Sequence, residues 1–172
     1  MKSRLLPIVA LLGLIVALPA LAFNFAPADA PEPVPELTFL DVDDNEVSLE
    51  DFRGKVVVLN LWAPWCAPCR HEMPSLDRLQ VEHGGDDLQV IALSVDRGES
   101  LDKIREFYDE VGVQHLDIYR DPNSSVPRAL KAPGLPTTVV IDRAGREAGR
   151  LLGGAEWDSE PAVALLEGIM AE

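Results

Sequence analysis

The stretch that decides the fold is Asn60–Pro74, NLWAPWCAPCRHEMP, which holds Cys66 and Cys69, the only two cysteines of the 172-residue chain. The apolar, β-branched run KVVVLNLW leads into it, and such a run is typical of a strand that is buried on both faces. A helix is predicted to begin around Cys66 and to continue to about His83, where two glycines follow. Both cysteines therefore lie at the start of a helix that follows directly on a central strand.

Strands and helices alternate through the rest of the chain. Strands are predicted at 36–42, 55–62, 88–95, 116–121, 137–142 and 146–153, and helical segments at 48–52, 66–83, 101–112, 124–131 and 159–171. Ser100 is the predicted N-cap of the helix at 101–112. This order of elements, which ends in a β-hairpin and a helix, predicts an α/β layered domain with a mixed central β-sheet flanked by helices.

The N-terminus has the pattern of an export signal. Lys2 and Arg4 precede an uncharged stretch at 5–28, whose core is LLPIVALLGLIVALPALA. A cleaved signal peptide would use the small-residue site at 20–22, whereas an uncleaved anchor would use the same run as one membrane-spanning hydrophobic helix. In either case the basic start stays inside and the rest of the chain faces outward.

Three segments follow from this pattern. Residues 1–28 form the signal anchor or signal peptide, residues 29–36 a proline-rich linker, and residues 37–172 the globular domain. The stretch at 24–36, NFAPADAPEPVPE, favours extended, semi-rigid polyproline conformations, and we expect it to pack against no core. It would hold the domain a short way off a membrane.

The charge of the chain limits its partners. The formal net charge is −14 at pH 7, and the sequence pI is near 4.5. A nucleic-acid-binding protein needs a basic face, so this composition argues against nucleic acid as a partner. A strongly charged surface also resists association, so the need for solubility is by itself a sufficient explanation of the acidic composition.

The cysteine pair admits four interpretations. A structural zinc site needs four ligands, and the chain has no second cysteine pair and no histidines at ligand spacing. A purely structural disulfide across so short a loop would add little stability. Two inert buried thiols do not suit an exported protein, where oxidation is the default. A redox-active dithiol, which needs no metal and no organic cofactor, fits best.

The positions of the two sulfurs suggest a part for each in thiol-disulfide exchange. Cys66 lies in the first helical turn, where free N–H groups and the helix dipole stabilise a thiolate. Cys69 lies one turn further on the same face and is expected to be less exposed. Cys66 would therefore attack a partner's disulfide, and Cys69 would resolve the mixed disulfide. Pro68 stiffens the loop, and Trp65 supplies apolar surface beside the sulfurs.

These motifs resemble the active site of the thioredoxin superfamily. The string at 60–74, followed by GLPTTVVID at 134–142, is similar to the TlpA/ResA branch, whose members are exported, usually membrane-tethered thioredoxin-like reductases. The resemblance covers about 37–170 and implies a thioredoxin-like fold. A peroxiredoxin would carry a threonine three residues before its reactive cysteine, where this chain has Ala63.

Glu72 is the candidate proton acceptor for the resolving thiol. Thioredoxin carries a buried aspartate on the strand, six residues before its first cysteine, where this chain has Asn60, which takes no proton. Glu72 lies three residues past Cys69 on the same helical face, and burial there would raise its pKa toward the range useful for proton transfer. The TlpA/ResA branch implies the same role for this glutamate. The alternative is a half-exposed glutamate in a weak ion pair.

The resemblance also implies a cis-proline loop at Leu135 and Pro136 that packs against the cysteine pair. Judged alone, the segment at 133–136 would be an ordinary turn leading into a strand. In the family, the residue before the cis-proline offers backbone groups to the partner chain. Leu135 and Pro136, together with Trp65 and Pro68, are therefore the candidate partner-binding residues.

The sequence thus predicts a protein-disulfide reductase of the bacterial periplasm, held at the inner membrane by its N-terminal segment. By resemblance, its partners are disulfide-containing periplasmic proteins, such as apocytochrome c or copper-site proteins of a respiratory oxidase, and a transmembrane thiol electron donor re-reduces it. Two alternatives stay open. One is a disulfide oxidant of the DsbA type, and the other is a non-enzymatic copper metallochaperone.

Overall fold

The computed structural model describes residues 23–98 and 100–172. Its strands are β1 Ala26–Pro27, β2 Thr38–Leu40, β3 Glu46–Ser48, β4 Val56–Trp62, β5 Leu88–Ser94, β6 Tyr119–Arg120, β7 Thr137–Ile141 and β8 Glu147–Leu152. Its helices are α1 Ala67–His83, α2 Leu101–Val111, α3 Ser125–Ala129 and α4 Glu160–Met170, with a short 3₁₀ helix at Leu49–Phe52. In these residues the strands form one sheet in the order β1-β8-β7-β4-β5-β6-β2-β3.

The centre of the sheet is β4, which is parallel to β5 and antiparallel to β7, so the predicted mixed sheet is confirmed. Every residue of β4 is buried, as its apolar sequence predicts. Its side chains alternate between two cores on opposite faces of the sheet. Val56, Val58 and Trp62 enter the core that α1, α2 and α4 cover, and Val57, Leu59 and Leu61 enter the other.

Helix α1 holds the candidate site residues and packs against this core. It begins after the N-cap Cys66 and ends at His83, and the N–H of the C-cap Gly84 donates to the carbonyl oxygen of Gln80 at 2.9 Å. The helix continues through Pro74. Its buried residues recur at helical spacing and include Cys69 and Glu72 among apolar side chains. The sequence of α1 therefore places a carboxyl group inside the core.

The N-terminal stretch packs along the domain, so the expectation that residues 24–36 contact no core is wrong. Strand β1 pairs antiparallel with β8, and Pro33 forms a bridge with Arg146. Phe25 packs against the core beside α1, and Val34 packs against the core on the other face. The physical reason is that β8 would otherwise present an open edge of unpaired N–H and C=O groups. The division of the chain at residues 28 and 36 stays a prediction.

The predicted hydrophobic helix at the N-terminus falls on residues 1–22 for the most part, which lie outside the described residues. Within the described part of the chain, no helix combines the length and the apolar character that a membrane crossing requires. Whether residues 1–28 act as an anchor or as a cleaved signal stays a prediction.

Candidate active site

The start of α1 fixes the position of the cysteine pair. Cys66 is the N-cap residue, and its backbone N–H donates to the carbonyl oxygen of Ala63 at 3.0 Å. The backbone N–H of Cys69 donates to Sγ of Cys66 at 3.3 Å. Pro68 costs no hydrogen bond in the first turn, because N–H groups there have no partner within the helix. The helix N-terminus therefore directs a backbone N–H at the sulfur of Cys66.

A disulfide joins Cys66 to Cys69, whose Cα atoms lie 5.3 Å apart. Cys66 is 5% exposed and Cys69 is fully buried, which confirms the prediction that the second sulfur lies deeper. The residues beside them, Trp65 and Pro68, are exposed. The indole Nε1 of Trp65 donates to Oδ1 of Asp96 at 3.2 Å, so this ring has a fixed polar contact on the surface. Of the two cysteines, Cys66 is therefore the more accessible from solvent.

Glu72 lies on the buried face of α1, three residues after Cys69, and is 1% exposed. Three groups donate hydrogen bonds to its carboxylate. Nδ2 of Asn60 donates to Oε1 at 2.8 Å, while the backbone N–H of Ala155 at 3.2 Å and Nε1 of Trp157 at 3.4 Å donate to Oε2. All three donors are uncharged, so the alternative of a half-exposed glutamate in an ion pair is wrong.

Burial raises the pKa of Glu72 from its ordinary value of 4.5 to about 7. Water is excluded from the carboxyl group, and this penalises the charged form. The hydrogen bonds from Asn60, Ala155 and Trp157 act in the opposite direction, and the nearby charge of Glu156 raises the pKa further. The balance leaves a group that exchanges its proton near neutral pH, as its place on the helix predicts.

Asn60 connects this carboxyl group to the central sheet. It is fully buried on β4, and its Nδ2 donates both to Glu72 and to Oγ1 of Thr138 on β7, the latter at 2.9 Å. Asn60 stands where thioredoxin has its aspartate. In this chain the strand supplies a neutral donor and the helix supplies the carboxyl group.

The loop before α4 completes the surroundings of Glu72, although its sequence pattern did not predict a place in the site. Trp157 in this loop is fully buried. Its backbone N–H donates to Oγ of Ser75 at 3.0 Å, and Oγ of Ser75 donates to the carbonyl oxygen of Glu72 at 2.7 Å. An isolated tryptophan in the polar stretch GGAEWDSEP was the available signal, because a buried indole N–H needs an acceptor.

The bond between Leu135 and Pro136 is cis, as the resemblance implied. The carbonyl oxygen of Pro136 accepts a hydrogen bond from the N–H of Gly153 at 2.9 Å. Leu135 packs against the apolar cluster that contains both cysteines. A cavity of about 190 Å³ lies between this loop and Leu152. The parts of Leu135 and Pro136, like those of Trp65 and Pro68, in binding a partner stay predictions.

The charged residue nearest to the cysteines in the chain, Arg70, is engaged in an ion pair. Arg70, which follows Cys69, pairs with Glu110 of α2 at 2.7 Å, and its guanidinium lies 5.0 Å from the ring centre of Phe107.

Across residues 23–98 and 100–172, no group of three or more His, Cys, Asp or Glu side chains is placed to hold a metal ion.

The chain is similar in sequence to curated proteins that are named thiol-disulfide oxidoreductases. ResA of Oceanobacillus iheyensis, named a thiol-disulfide oxidoreductase, is 36% identical over 101 residues, which cover 59% of this chain and 51% of that protein. The thioredoxin-like protein YneN of Bacillus subtilis is 34% identical over 112 residues, which cover 64% of each chain. The chain therefore spans about half to two thirds of the length of these curated relatives.

A solved structure agrees on the fold. A candidate thiol:disulfide interchange protein DsbE from Chlorobium tepidum superposes with a TM-score of 0.72 at 27% identity, over 83% of this chain and 98% of that one. The predicted thioredoxin-like architecture is thereby confirmed. A family model described as the AhpC/TSA family matches residues 30–146, which is more than half of the sequence. With its mixed sheet and its Cys66–Cys69 pair at the start of α1, this chain belongs to the AhpC/TSA family and has a thioredoxin-like fold.

Proposed function

We propose that this protein is a thiol-disulfide oxidoreductase that reduces disulfides of partner proteins. The observation that carries the proposal is the Cys66–Cys69 disulfide at the N-terminus of α1, one turn before the buried carboxyl group of Glu72, whose pKa is about 7. The name of its relative ResA supports the same activity. Two thiols supply both electrons of the exchange, so the proposed reaction uses neither a metal nor an organic cofactor.

In the reduced protein, Cys66 begins the exchange. A thiolate at Cys66 lies at the positive end of α1 and accepts the backbone N–H of Cys69. It attacks one sulfur of the partner's disulfide, and a bond forms between Cys66 and the partner. The other partner sulfur leaves as a thiolate and takes a proton.

Cys69 completes the exchange with the help of Glu72. The carboxylate of Glu72 takes the proton of the Cys69 thiol, and the resulting thiolate attacks Sγ of Cys66. The bond to the partner breaks, the partner leaves as a dithiol, and the disulfide seen in the structure forms. The partner gains two electrons and the protein loses two. A carboxyl group with a pKa of about 7 suits this transfer at neutral pH.

The place of action that the sequence supports best is the bacterial periplasm. The basic start and the apolar run at 5–22 favour export and a tether to the inner membrane. A transmembrane thiol electron donor would then re-reduce Cys66 and Cys69, and cytochrome c maturation or respiratory oxidase assembly would supply the partners. Protease added to spheroplasts should degrade the domain while the inner membrane stays intact. A fully protected domain would refute this location.

Reduction of insulin by dithiothreitol tests the activity. We expect the full chain, purified in detergent, to accelerate the reduction. The variant Cys66→Ser should not accelerate it, because the attacking sulfur is absent. The same full chain alkylated on both thiols is the control for effects of the protein surface. Equal rates for the wild type, the variant and the alkylated chain would refute the proposed function.

The direction of electron flow is tested by the reduction potential against glutathione. A reductase should have a potential well below that of DsbA, which is about −120 mV. A value near that of DsbA would support the disulfide oxidant instead.

Titration of the reduced protein with Cu(I) tests whether the protein is a copper metallochaperone. Tight binding that alkylation abolishes, in a protein without insulin reductase activity, would support the metallochaperone.

A further inference from the structure

The N-terminal strap, residues 23–28, lies along the sheet edge that leads to the active site. Ala26 and Pro27 pair with residues of β8, including Gly149. Gly149 leaves room for this pairing, since a Cβ there would lie 2.5 Å from the carbonyl oxygen of Ala26 and 2.5 Å from Cζ of Phe25. A side chain at position 149 is therefore incompatible with the strap in its present position.

Phe23 is the residue through which the strap reaches the site. Its ring contacts the indole of Trp157 edge to face, with the ring centres 5.3 Å apart and the planes at 89°. Phe23 also stacks on Phe25, at 6.3 Å between ring centres. Trp157 is fully buried, and its Nε1 donates to Oε2 of Glu72 at 3.4 Å. A continuous series of contacts thus runs from the strap to the carboxyl group.

We propose that the N-terminal strap is a positioning element of the active site. Phe23 holds Trp157 in place, and this contact excludes water from the carboxyl group of Glu72, which accepts the proton of Cys69. The inference rests on the proposed function and adds residues to the same chemical step. Phe23 acts through Trp157, whose indole it contacts.

The hydrogen-bond lengths around Glu72 indicate that, of its three donors, Trp157 is the one whose contact is most easily disturbed. Its hydrogen bond is the longest of the three that Glu72 accepts. Loss of the Phe23 ring opens space beside the indole to water, and water that reaches the carboxylate stabilises its charge. The carboxylate then becomes a weaker base for the thiol of Cys69.

The other groups that face Glu72 lie outside the strap. Asn60 on β4 and the backbone N–H of Ala155 are neutral donors. Glu156 is the charged neighbour, and its negative charge opposes ionisation of Glu72. Glu156 itself lies 3.7 Å from the guanidinium of Arg78. Substitutions in the strap leave these groups unchanged, so a shift in the titration of Glu72 reports on the strap and Trp157.

A single-turnover reaction with dithiobis(nitrobenzoate) separates the two sulfurs. The reduced full chain releases one thionitrobenzoate when Cys66 attacks the reagent and a second when Cys69 resolves the mixed disulfide. The rate of the second release as a function of pH therefore reports on proton transfer from Cys69. The wild type should give both releases, and a wild type without the second release would refute the proposed function rather than the role of the strap.

Two variants disturb the strap at different points, and two serve as controls. Phe23→Ala removes the contact with Trp157, and Gly149→Ala displaces the strap from β8. Phe23→Tyr keeps the ring. Phe52→Ala removes another half-buried ring, which contacts Tyr119 at 6.4 Å between ring centres and belongs to the core on the other face of the sheet.

We expect Phe23→Ala and Gly149→Ala to lower the midpoint of the pH profile of the second release by about half a pH unit or more. The plateau rate above the midpoint should fall about twofold or more, with the first release unchanged. Phe23→Tyr and Phe52→Ala should match the wild type. A merely structural strap would lower the free energy of unfolding without moving the midpoint. A midpoint in Phe23→Ala equal to that in Phe52→Ala would overturn the inference.

Discussion

Nδ2 of Asn60 lies 2.8 Å from Oε1 of Glu72, and this buried hydrogen bond joins the central strand to the helix that carries the cysteines. A neutral donor stabilises the carboxylate only modestly, whereas a cation at the same place would bring its pKa far below neutrality. Burial therefore dominates, and the pKa of Glu72 stays about 7. A group that titrates near neutral pH therefore lies on the buried face of α1, three residues after Cys69.

The first prediction concerns proton transfer. Glu72→Gln should slow the second release of thionitrobenzoate about a hundredfold at neutral pH, because the amide accepts no proton from Cys69. The first release, which depends on Cys66, should change little. Glu82→Gln on the exposed face of the same helix is the matched control and should behave as the wild type. Equal second-release rates for Glu72→Gln and Glu82→Gln would remove Glu72 from the mechanism.

The second prediction is a dependence of stability on pH in the oxidised protein. The pKa of Glu72 is about 7 in the folded chain and near 4.5 when the chain unfolds. The folded state therefore binds more protons between these values, and the free energy of unfolding falls as the pH rises from 4.5 to about 7. The total fall is on the order of 3 kcal/mol.

Urea unfolding of the disulfide form between about pH 5 and about pH 8 measures this change. The cysteines do not titrate in that form, so they add nothing to the slope. In Glu72→Gln the decline over this range should be absent, since the group that binds the extra proton is gone. A decline of the same size in wild type and variant would show that some other group causes it.

The third prediction tests the role of Asn60. Asn60→Asp places a second carboxyl group against Glu72 and removes the Nδ2 donor that stabilises the carboxylate. With two carboxyl groups in contact, the second proton leaves at a higher pH, and loss of the Nδ2 donor raises this upper pKa further. The midpoint of the second release should therefore move to higher pH by about one unit or more. Asn123→Asp, at an exposed position, makes the same change of charge and should leave the midpoint where it is. A lower midpoint in Asn60→Asp would contradict this account of the hydrogen bond.

The elements that carry the cysteines could be predicted because their signals are local. The apolar run of β4 and the glycines after His83 lie within one short stretch, and the helix between them begins next to Cys66, as predicted. Ser100 is likewise confirmed as an N-cap, and its Oγ accepts the N–H of Lys103 at 3.4 Å. In each case a few neighbouring residues decide the local backbone, so the sequence pattern is sufficient.

The rest of the site could not be read in this way, because it depends on residues far apart in the chain. Trp157 and Glu72 are 85 residues apart in the sequence, and only the tertiary fold brings them into contact. Strand β1 is two residues long and has no strand pattern of its own, so its pairing depends on the exposed edge of β8. The proline-rich composition of this stretch predicted a free spacer, and the pairing with β8 overrides that local tendency.

The fourth prediction concerns the contact that fixes α1 to the loop after α2. Oδ1 of Asp77 accepts hydrogen bonds from the backbone N–H groups of Gln114, His115 and Leu116, at 3.2, 2.7 and 3.0 Å. Asp77→Ala leaves these donors without their acceptor in a partly buried place. The free energy of unfolding should therefore fall by about 2–4 kcal/mol.

This loss should itself depend on pH. Burial alone would raise the pKa of Asp77, but the hydrogen bonds from His115, Gln114 and Leu116 together lower it below its ordinary value of 3.8. The stabilisation is therefore complete above that value and is lost as the pH falls through the folded pKa. Urea unfolding should show a difference between wild type and Asp77→Ala that shrinks in acid. Asp109→Ala, on the exposed face of α2, should change stability by less than about 0.5 kcal/mol. A loss in Asp77→Ala no larger than that in Asp109→Ala would show that the three hydrogen bonds do not hold α1 in place.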